Sequence, residues 1–200
     1  MAWDDETFDA AASAGGHNEP IEMVGTNLRV IGTVSLGRFG RLTDLINASS
    51  GYLRIRDARL LQRNGDPTDL NLPELMVDQD EISFIAQTSV AAPEPGAATG
   101  FIEPVNDTTV EHRKARAFVI FTPGHTVSGK VYIFGQTDLA AFVDSTDPRF
   151  VPVVDVTTRS LADRQIVSHY DFVLVNRTQM IAAAETGRQG DIAVEDLPEL

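Results

Sequence analysis

The sequence predicts a mainly β protein with a minor α component, built from two tandem antiparallel units that are small-barrel-like and carry one short helix each. Three observations predict this fold class. Apolar and polar residues alternate in several short runs, as half-buried antiparallel strands require. Four blocks of residues recur in the same order in the two halves of the chain. A stretch rich in Pro, Gly and Ala separates the two sets of blocks and is typical of a linker.

The first matching block is a pair of strands. Residues 21–34, IEMVGTNLRVIGTV, align without a gap with residues 118–131, FVIFTPGHTVSGKV, and their apolar positions alternate in the same register. A glycine recurs in the second strand, as Gly32 and Gly129. Residues 124–130 have the spacing of a phosphate-binding loop, but they continue into residues typical of a strand instead of a helix. The pattern therefore predicts a hairpin at this place.

A short helix and two further strands complete each unit. The helix is predicted at residues 42–49 and 138–145, the third strand at 52–58 and 150–156, and the last strand at 76–85 and 166–175. In the first helix Leu42, Leu45 and Ile46 share one face, which is typical of a short helix that plugs one end of a barrel. Polar clusters rich in Asn, Asp and Ser follow both helices and predict turns.

The order of these blocks divides the chain into five segments. They are an acidic flexible leader (1–20), a first β unit (21–87), a Pro/Gly/Ala linker (88–115), a second β unit (116–186) and an acidic tail (187–200). The linker assignment depends on the run AAPEPGAATG, in which Pro and Gly disfavour both strands and helices. Four blocks in one order are difficult to explain by chance, so the sequence predicts a duplicated module.

Three segments of the first unit carry a family resemblance. They read GTVSL from Gly32, GRLTDLIN from Gly40 and YLRIRDA from Tyr52. These segments resemble an uncharacterised bacterial β-domain family whose members have a glycine-containing strand, an Arg-Leu-Ser-Asp-Leu-Leu-Asn-like helix and a strand ending in Asp-Ala. The resemblance covers residues 21–87, with a degraded copy at 116–178. It implies a small-barrel domain of unknown function, and it brings no activity that can be transferred.

Charge and composition exclude several classes of protein. Lys and Arg total 16 against 29 Asp and Glu, and a surface with this net charge of −13 repels phosphate backbones, so nucleic acid is not an expected partner. The absence of cysteine excludes disulfides, thiolate metal sites and a cysteine nucleophile. No apolar run approaches the roughly 20 residues that cross a bilayer, and the residues after Met1 lack the features of a secretory signal. We therefore expect a cytoplasmic protein without membrane insertion.

Six residues are candidates for an interaction or structural motif, namely Arg41, Asp44, Asn47, Asp57, Asp155 and His169. The first three belong to the helix motif, where polar side chains cap helices or tie down turns. The two following aspartates end equivalent strands. His169 and Asp171 share one face of a strand, as a metal or acid–base pair requires, but no second histidine is near in the sequence, so a structural role at a strand edge is favoured.

The acidic run of residues 78–81 is superficially similar to a calcium loop. It lacks the loop glycine and the distal glutamate at the required spacing, so we interpret it as a solvent-exposed strand entry. Basic residues cluster at 112–116, where they act as a countercharge or as a docking place for an acidic tail.

The sequence favours a non-enzymatic scaffold or accessory subunit that binds a protein partner or forms a homo-oligomer through β edges and polar tails. No residues complete a catalytic triad or a metal site, so neither an enzymatic activity nor a cofactor is predicted. The alternative is a small-ligand-binding or regulatory sensor with a site in a barrel mouth or between the units. A third, weaker hypothesis is an enzyme that works through Asp57, Asp155 or His169.

Overall fold

Strand pairing organises the described part of the chain into one open, ten-stranded antiparallel sheet with two short helices. The computed structural model describes residues 17–62, 66–88, 113–134 and 138–186. The first half contains β1 (Asn18–Gly25), β2 (Arg29–Ser35), α1 (Leu42–Ala48), β3 (Tyr52–Leu61), β4 (Pro67–Asp78) and β5 (Ile82–Gln87). The second half contains β6 (Arg113–Thr122), β7 (His125–Phe134), α2 (Leu139–Asp144), β8 (Phe150–Ser160), β9 (Val167–Asn176) and β10 (Ala182–Thr186). A turn of 3-10 helix follows the fourth strand of each half, at Gln79–Glu81 and at Arg177–Gln179.

The predicted fold class is confirmed: the protein is mainly β, its strands are antiparallel, and each half has one short helix. The strands begin slightly earlier than the predicted units, since β1 starts at Asn18 and β6 at Arg113. Most of the predicted leader, most of the linker and the acidic tail lie outside the described residues. Neither of the described helices is long and apolar enough to cross a bilayer.

The expectation of two barrel-like units needs correction, because the sheet closes in neither half. The strand order is β10-β6-β7-β8-β9-β5-β1-β2-β3-β4, so β5 pairs with β1 on one side and with β9 on the other. The physical reason lies in β5 and in the end of β9, which are continuous apolar runs that need cover on both faces and neighbours on both sides. Pairing with each other satisfies both strands, and β4 and β10 remain as the edges of the described sheet.

The two halves have the same element order and equivalent pairings. The order β5-β1-β2-β3-β4 in the first half corresponds to β10-β6-β7-β8-β9 in the second. Within each half the outermost two strands of this order point the same way, because four antiparallel steps separate them. Since β9 pairs antiparallel with β5, the second half points the opposite way to the first. The halves are therefore related by a half-turn about an axis across the strands, combined with a shift along the sheet.

The predicted match of the fourth block is wrong, because it aligned the apolar run of β5 with that of β9. Tyr52 lies opposite Asp78, and Phe150 lies opposite Asn176, so β4 is the equivalent of β9 and Asp78 is the equivalent of Asn176. The counterpart of β5 is β10. The two apolar runs look alike because they are neighbours that share the most buried position in the sheet, not because they are repeats.

Two hydrophobic cores lie on opposite faces of the sheet. Consecutive residues of a strand point to opposite faces, and in β1 Met23 packs in the first core while Val24 packs in the second. Ile85 and Ala86 of β5 divide between the cores in the same way. The first core belongs mainly to the first half and the second core to the second half, where Phe142 of α2 joins it. The half-turn between the halves requires this arrangement, and it covers the central strands on both faces.

Candidate functional site: the sheet junction and the two free edges

Three cross-strand pairs join the halves at the centre of the sheet. Phe84 lies opposite Val175, Ile85 opposite Leu174 and Ala86 opposite Val173, and all six residues are buried. Burial of apolar surface contributes about 25 cal/mol per Å² removed from water, so the pairs stabilise the contact between the halves. We refer to the β5–β9 contact, together with the turns Gln79–Glu81 and Arg177–Gln179, as the sheet junction.

Asn176 ties the two halves together at the end of β9. Its side chain is fully buried, and its Nδ2 donates hydrogen bonds to the carbonyl oxygens of Gln79 at 3.0 Å and Ile82 at 2.8 Å. Its Oδ1 accepts a hydrogen bond from the backbone N–H of Thr178 at 3.1 Å. One amide therefore caps the turn of its own half and satisfies two carbonyls of the other half, a task that needs both a donor and an acceptor.

A second amide connects α1 to β8. Asn47 donates from Nδ2 to the Phe150 carbonyl oxygen at 3.0 Å, and its Oδ1 accepts from the Phe150 N–H at 2.8 Å. Phe150 is fully buried in the first core, although it belongs to the second half. The Asn47 side chain thus satisfies both backbone groups of Phe150, the first residue of β8. Each hydrogen bond contributes about 1 kcal/mol.

The acidic run of residues 78–81 belongs to the sheet junction, so its interpretation as a solvent-exposed strand entry is wrong in part. Asp78 accepts a hydrogen bond from the Asp80 N–H at 3.0 Å and caps the turn, and Gln79 is fully buried. Asp80 forms an ion pair with Arg149, and its carbonyl oxygen accepts from Gln179 Nε2 at 2.6 Å. The charges face solvent, but the backbone of the run packs against the other half.

The outer edge of the first half exposes residues whose counterparts are buried at the junction. Met76 of β4 is 51% exposed, whereas its counterpart Leu174 in β9 is fully buried. Tyr52 of β3 is 62% exposed, whereas its counterpart Phe150 is fully buried. Large apolar side chains at a sheet edge with unpaired backbone groups are a typical place for another strand to bind.

Of the three candidates in the helix motif, Asn47 bridges the two halves through Phe150, and the other two do not. Arg41 occupies the position before α1, is exposed, and makes no capping hydrogen bond with its side chain. Asp44 lies in the first turn of α1 and is also exposed. The motif residue that matters for the contact between the halves is therefore the last one.

Asp57 and Asp155 have a backbone role. Both have left-handed backbone conformations, with φ of 51° and 53°, which aspartate tolerates better than most residues. Each lies in a β-bulge opposite the glycine that recurs in the preceding strand, Gly32 in one half and Gly129 in the other. A Cβ on Gly129 would lie 2.9 Å from the carbonyl oxygen of Val154, so this position needs glycine.

The structure does not bring these two aspartates together, because four strands separate β3 from β8 in the sheet. Both are exposed, and Asp155 forms an ion pair with Lys130 at 2.7 Å. The hydrogen bond to this carboxylate raises the pKa of Lys130. The recurring aspartate is thus explained by the bulge, and the enzyme hypothesis gains no paired carboxylates from it.

His169 is exposed on β9, and its Nδ1 lies 3.1 Å from Thr157 Oγ1 on the neighbouring strand. Asp171 is exposed as well. Within the described ranges, no group of three or more His, Asp or Glu side chains is arranged to hold a metal ion. The contact with Thr157 is a cross-strand pair of the kind that stabilises sheets.

The sequence did not reveal a polar cluster that links β1 to β9. The Glu22 carboxylate accepts hydrogen bonds from Arg29 Nε at 2.5 Å and from the Tyr170 hydroxyl at 3.0 Å. Arg29 and Tyr170 line a small cleft together with His125 and Phe84. Its free volume of about 10 Å³ is at the lower limit of what one ordered water needs.

Burial controls the electrostatics of this cleft. Burial, followed by the charge of Glu22, raises the pKa of Tyr170 to about 12. Burial, followed by the charge of Arg29, lowers the pKa of His125. Both rings are therefore neutral at neutral pH, and the buried His125 Nδ1 has no hydrogen-bond partner among the described residues. The arrangement offers a buried ion pair and neutral polar groups around a space that suits a water molecule.

No protein-family model matches the chain, and neither a curated protein nor a solved structure shows significant similarity to it.

Proposed function

We propose that the protein is a non-enzymatic scaffold or accessory subunit that binds proteins through the free edges β4 and β10. One observation carries this proposal: Met76 and Tyr52 are exposed at one edge, while their counterparts Leu174 and Phe150 are buried where the two halves meet. The β5–β9 pairing at the centre of the sheet is thus an example of the strand contact that the edges β4 and β10 can make. A strand added to such an edge gains backbone hydrogen bonds along its length and pockets for alternate side chains.

The positions of the candidate carboxylates agree with a role without catalysis. Asp57 and Asp155 are required by bulges, and His169 pairs with a neighbouring threonine, so each has a structural reason to be present. The tandem arrangement of two like modules, which we regard as a duplication, leaves β4 and β10 at the two ends of the described sheet. The net charge of −13 favours solubility of a protein with exposed strand edges.

A regulatory sensor is the second candidate, and the buried cluster of Glu22, Arg29 and Tyr170 is the observation in its favour. The cleft beside this cluster has room for about one water molecule. The cleft is too small for a ligand larger than water, so we place this function second.

The proposal is tested by co-purification from the source cells with the full-length chain as bait, together with native mass measurement. We expect a different protein as a stoichiometric partner. The substitution Met76→Lys should abolish its retention, because a charged side chain on an edge strand disfavours strand addition.

The matched control is Leu161→Lys, because Leu161 is also 51% exposed but lies in the turn after β8, away from both edges. This variant should retain the partner. Equal retention by both variants, or the absence of any partner with a native mass of one chain, would contradict the proposed function.

A further inference from the structure

The free edges β4 and β10 are the counterparts of the two strands that pair at the sheet junction. β4 corresponds to β9, and β10 corresponds to β5. A second copy in the same orientation presents its β10 antiparallel to β4 of the first, because β10 and β4 of one chain point in opposite directions. The strand pairing that joins the halves can therefore be repeated between two chains that have the same orientation.

We propose that Asp78 and Glu81 prevent a second copy of this chain from docking its β10 on β4, a contact that would otherwise repeat the sheet junction head to tail. The inference rests on the proposed function, since it explains how the same two edges stay available for a different protein. A head-to-tail contact uses different surfaces on the two chains, so it leaves one free β4 and one free β10 and adds further copies into a filament or a ring.

The pairing inside the chain fixes the register of the proposed contact. At the junction Ile85 lies opposite Leu174. The counterpart of Ile85 is Ala183, which lies opposite Ile120 just as Ile85 lies opposite Met23, and the counterpart of Leu174 is Met76. The contact therefore places Ala183 of one chain opposite Met76 of the next. By the same equivalence, Ala182 lies opposite Val77 and Ala184 opposite Leu75.

Apolar burial favours this register. Met76 and Tyr52 are more than half exposed, and the contact would cover both, as their counterparts Leu174 and Phe150 are covered at the junction. On β10 the paired positions are alanines, which leave space for the larger side chains of β4. The two edges are thus complementary in size, with large side chains on β4 and small side chains on β10.

The polar groups of the two contacts differ in one systematic way. At the junction, Asn176 and Gln179 donate to backbone carbonyls of the other half, at 2.8 to 3.0 Å and at 2.6 Å. Their counterparts at the β4 edge are Asp78 and Glu81. An ionised carboxylate accepts hydrogen bonds and cannot donate them, so both side chains would face carbonyl oxygens that need a donor.

The carbonyl oxygens that Asp78 would face are those of Arg177 and Met180, the counterparts of Gln79 and Ile82. The Nε and Nη1 atoms of Arg177 do not supply the missing donor, because they already donate to the carbonyl oxygens of Pro148 and Phe142 in their own half. Asp78 therefore withholds a donor from the Met180 carbonyl oxygen, whereas that of Arg177 keeps the N–H of Met180, and both acids add repulsion. Replacement of either acid by its amide removes both effects.

The test is the double variant Asp78→Asn with Glu81→Gln in the full chain, compared with wild type by sedimentation velocity over a concentration series. We expect the wild type to sediment as a single chain and the double variant to form concentration-dependent head-to-tail oligomers. Each restored donor should tighten association by about fivefold or more, since an unpaired buried polar group costs at least about 1 kcal/mol. The control is Asp44→Asn with Asp171→Asn, which changes the net charge equally at exposed positions outside β4 and β10 and should remain a single chain.

A disulfide trap checks the register. The chain contains no cysteine, so Met76→Cys and Ala183→Cys are each introduced into a separate preparation of the double variant and mixed under oxidising conditions. Directly opposite residues of antiparallel strands have Cα atoms about 4.5 to 5.5 Å apart, within disulfide range. The mixture should form a crosslinked dimer, and a mixture of Met76→Cys with Thr186→Cys chains should not.

A double variant that remains a single chain, or equal crosslinking of the two mixtures, would overturn the inference. Oligomers of the control variant would overturn it too, since general loss of charge would then explain the association. None of these results touches the binding of a different protein to β4 in the co-purification experiment, so failure of self-assembly is distinguishable from failure of the proposed function.

Discussion

Asn176→Asp isolates the hydrogen-bond donor that ties the halves together. The substitution keeps the size of the side chain and the oxygen that accepts from Thr178, but it removes the Nδ2 donor to Gln79 and Ile82. The Ile82 carbonyl oxygen loses this donor, whereas that of Gln79 keeps the N–H of Ile82, so we expect a loss of roughly 1 to 3 kcal/mol in the free energy of unfolding. Such a loss is a large part of the 5 to 15 kcal/mol that is typical of domains.

The measurement is urea denaturation followed by circular dichroism at several pH values. Burial raises the pKa of the introduced carboxyl above its value of about 3.9 in the unfolded chain, so the loss should be smallest below about pH 4 and grow as the pH rises. The control Asn71→Asp makes the same change at an exposed position where the side chain accepts from Arg59 Nε at 3.1 Å, and its stability should change by less than about 0.5 kcal/mol. A variant at Asn176 as stable as this control at neutral pH would refute the role of the buried donor.

Three further predictions concern the bulges and the cleft. Gly129→Ala should lower stability in urea denaturation by about 1 to 3 kcal/mol, because its Cβ would meet backbone and side-chain atoms at less than 3 Å, while Gly40→Ala has nothing within 4 Å and should be neutral. Asp57→Gly should be tolerated, whereas Asp57→Val should lower the free energy of unfolding by at least about 1 kcal/mol, since a β-branched residue is strained at φ of 51°. Equal stability of the two variants would contradict the role of Asp57 in the bulge. Burial lowers the folded-state pKa of His125, so its contribution to stability should be present above about pH 6.5 and be lost as the pH falls below that value. In denaturation curves across this pH range, His125→Gln should remove this slope and His169→Gln should keep it.

The local pattern of the chain was sufficient for the fold class. Alternation of apolar residues predicted antiparallel strands, and the gapless match of the first block predicted the β6–β7 hairpin at residues 124–130, where Thr122 pairs with His125. The recurring glycine and aspartate were visible in both halves, although their shared cause, a bulge with a left-handed residue, was not. Such features depend on residues that are near in sequence, and this is the reason that they can be predicted.

Pairing between distant strands could not be predicted in the same way. The sequences of β5 and β9 are alike because each strand is buried on both faces. They were aligned as repeats, but they are neighbouring strands in the sheet. Asn176 directly follows the last predicted strand of the second unit, and nothing local to it indicates that its amide reaches Gln79 and Ile82. The same holds for the cluster of Glu22 and Tyr170, whose members are far apart in the chain.

The sequence by itself determined the fold class, the two helices and the recurrence of the first three blocks in both halves, because short-range periodicity and backbone preference decide these. The tertiary structure decided which strand edges pair and which lie at the ends of the described sheet. A strand edge can pair with many other strands, and burial on both faces selects one of them. That selection placed amides at the inner contact and left Asp78 and Glu81 at the outer one. The chemistry of the free edges thus follows from long-range pairing, which no local pattern encodes.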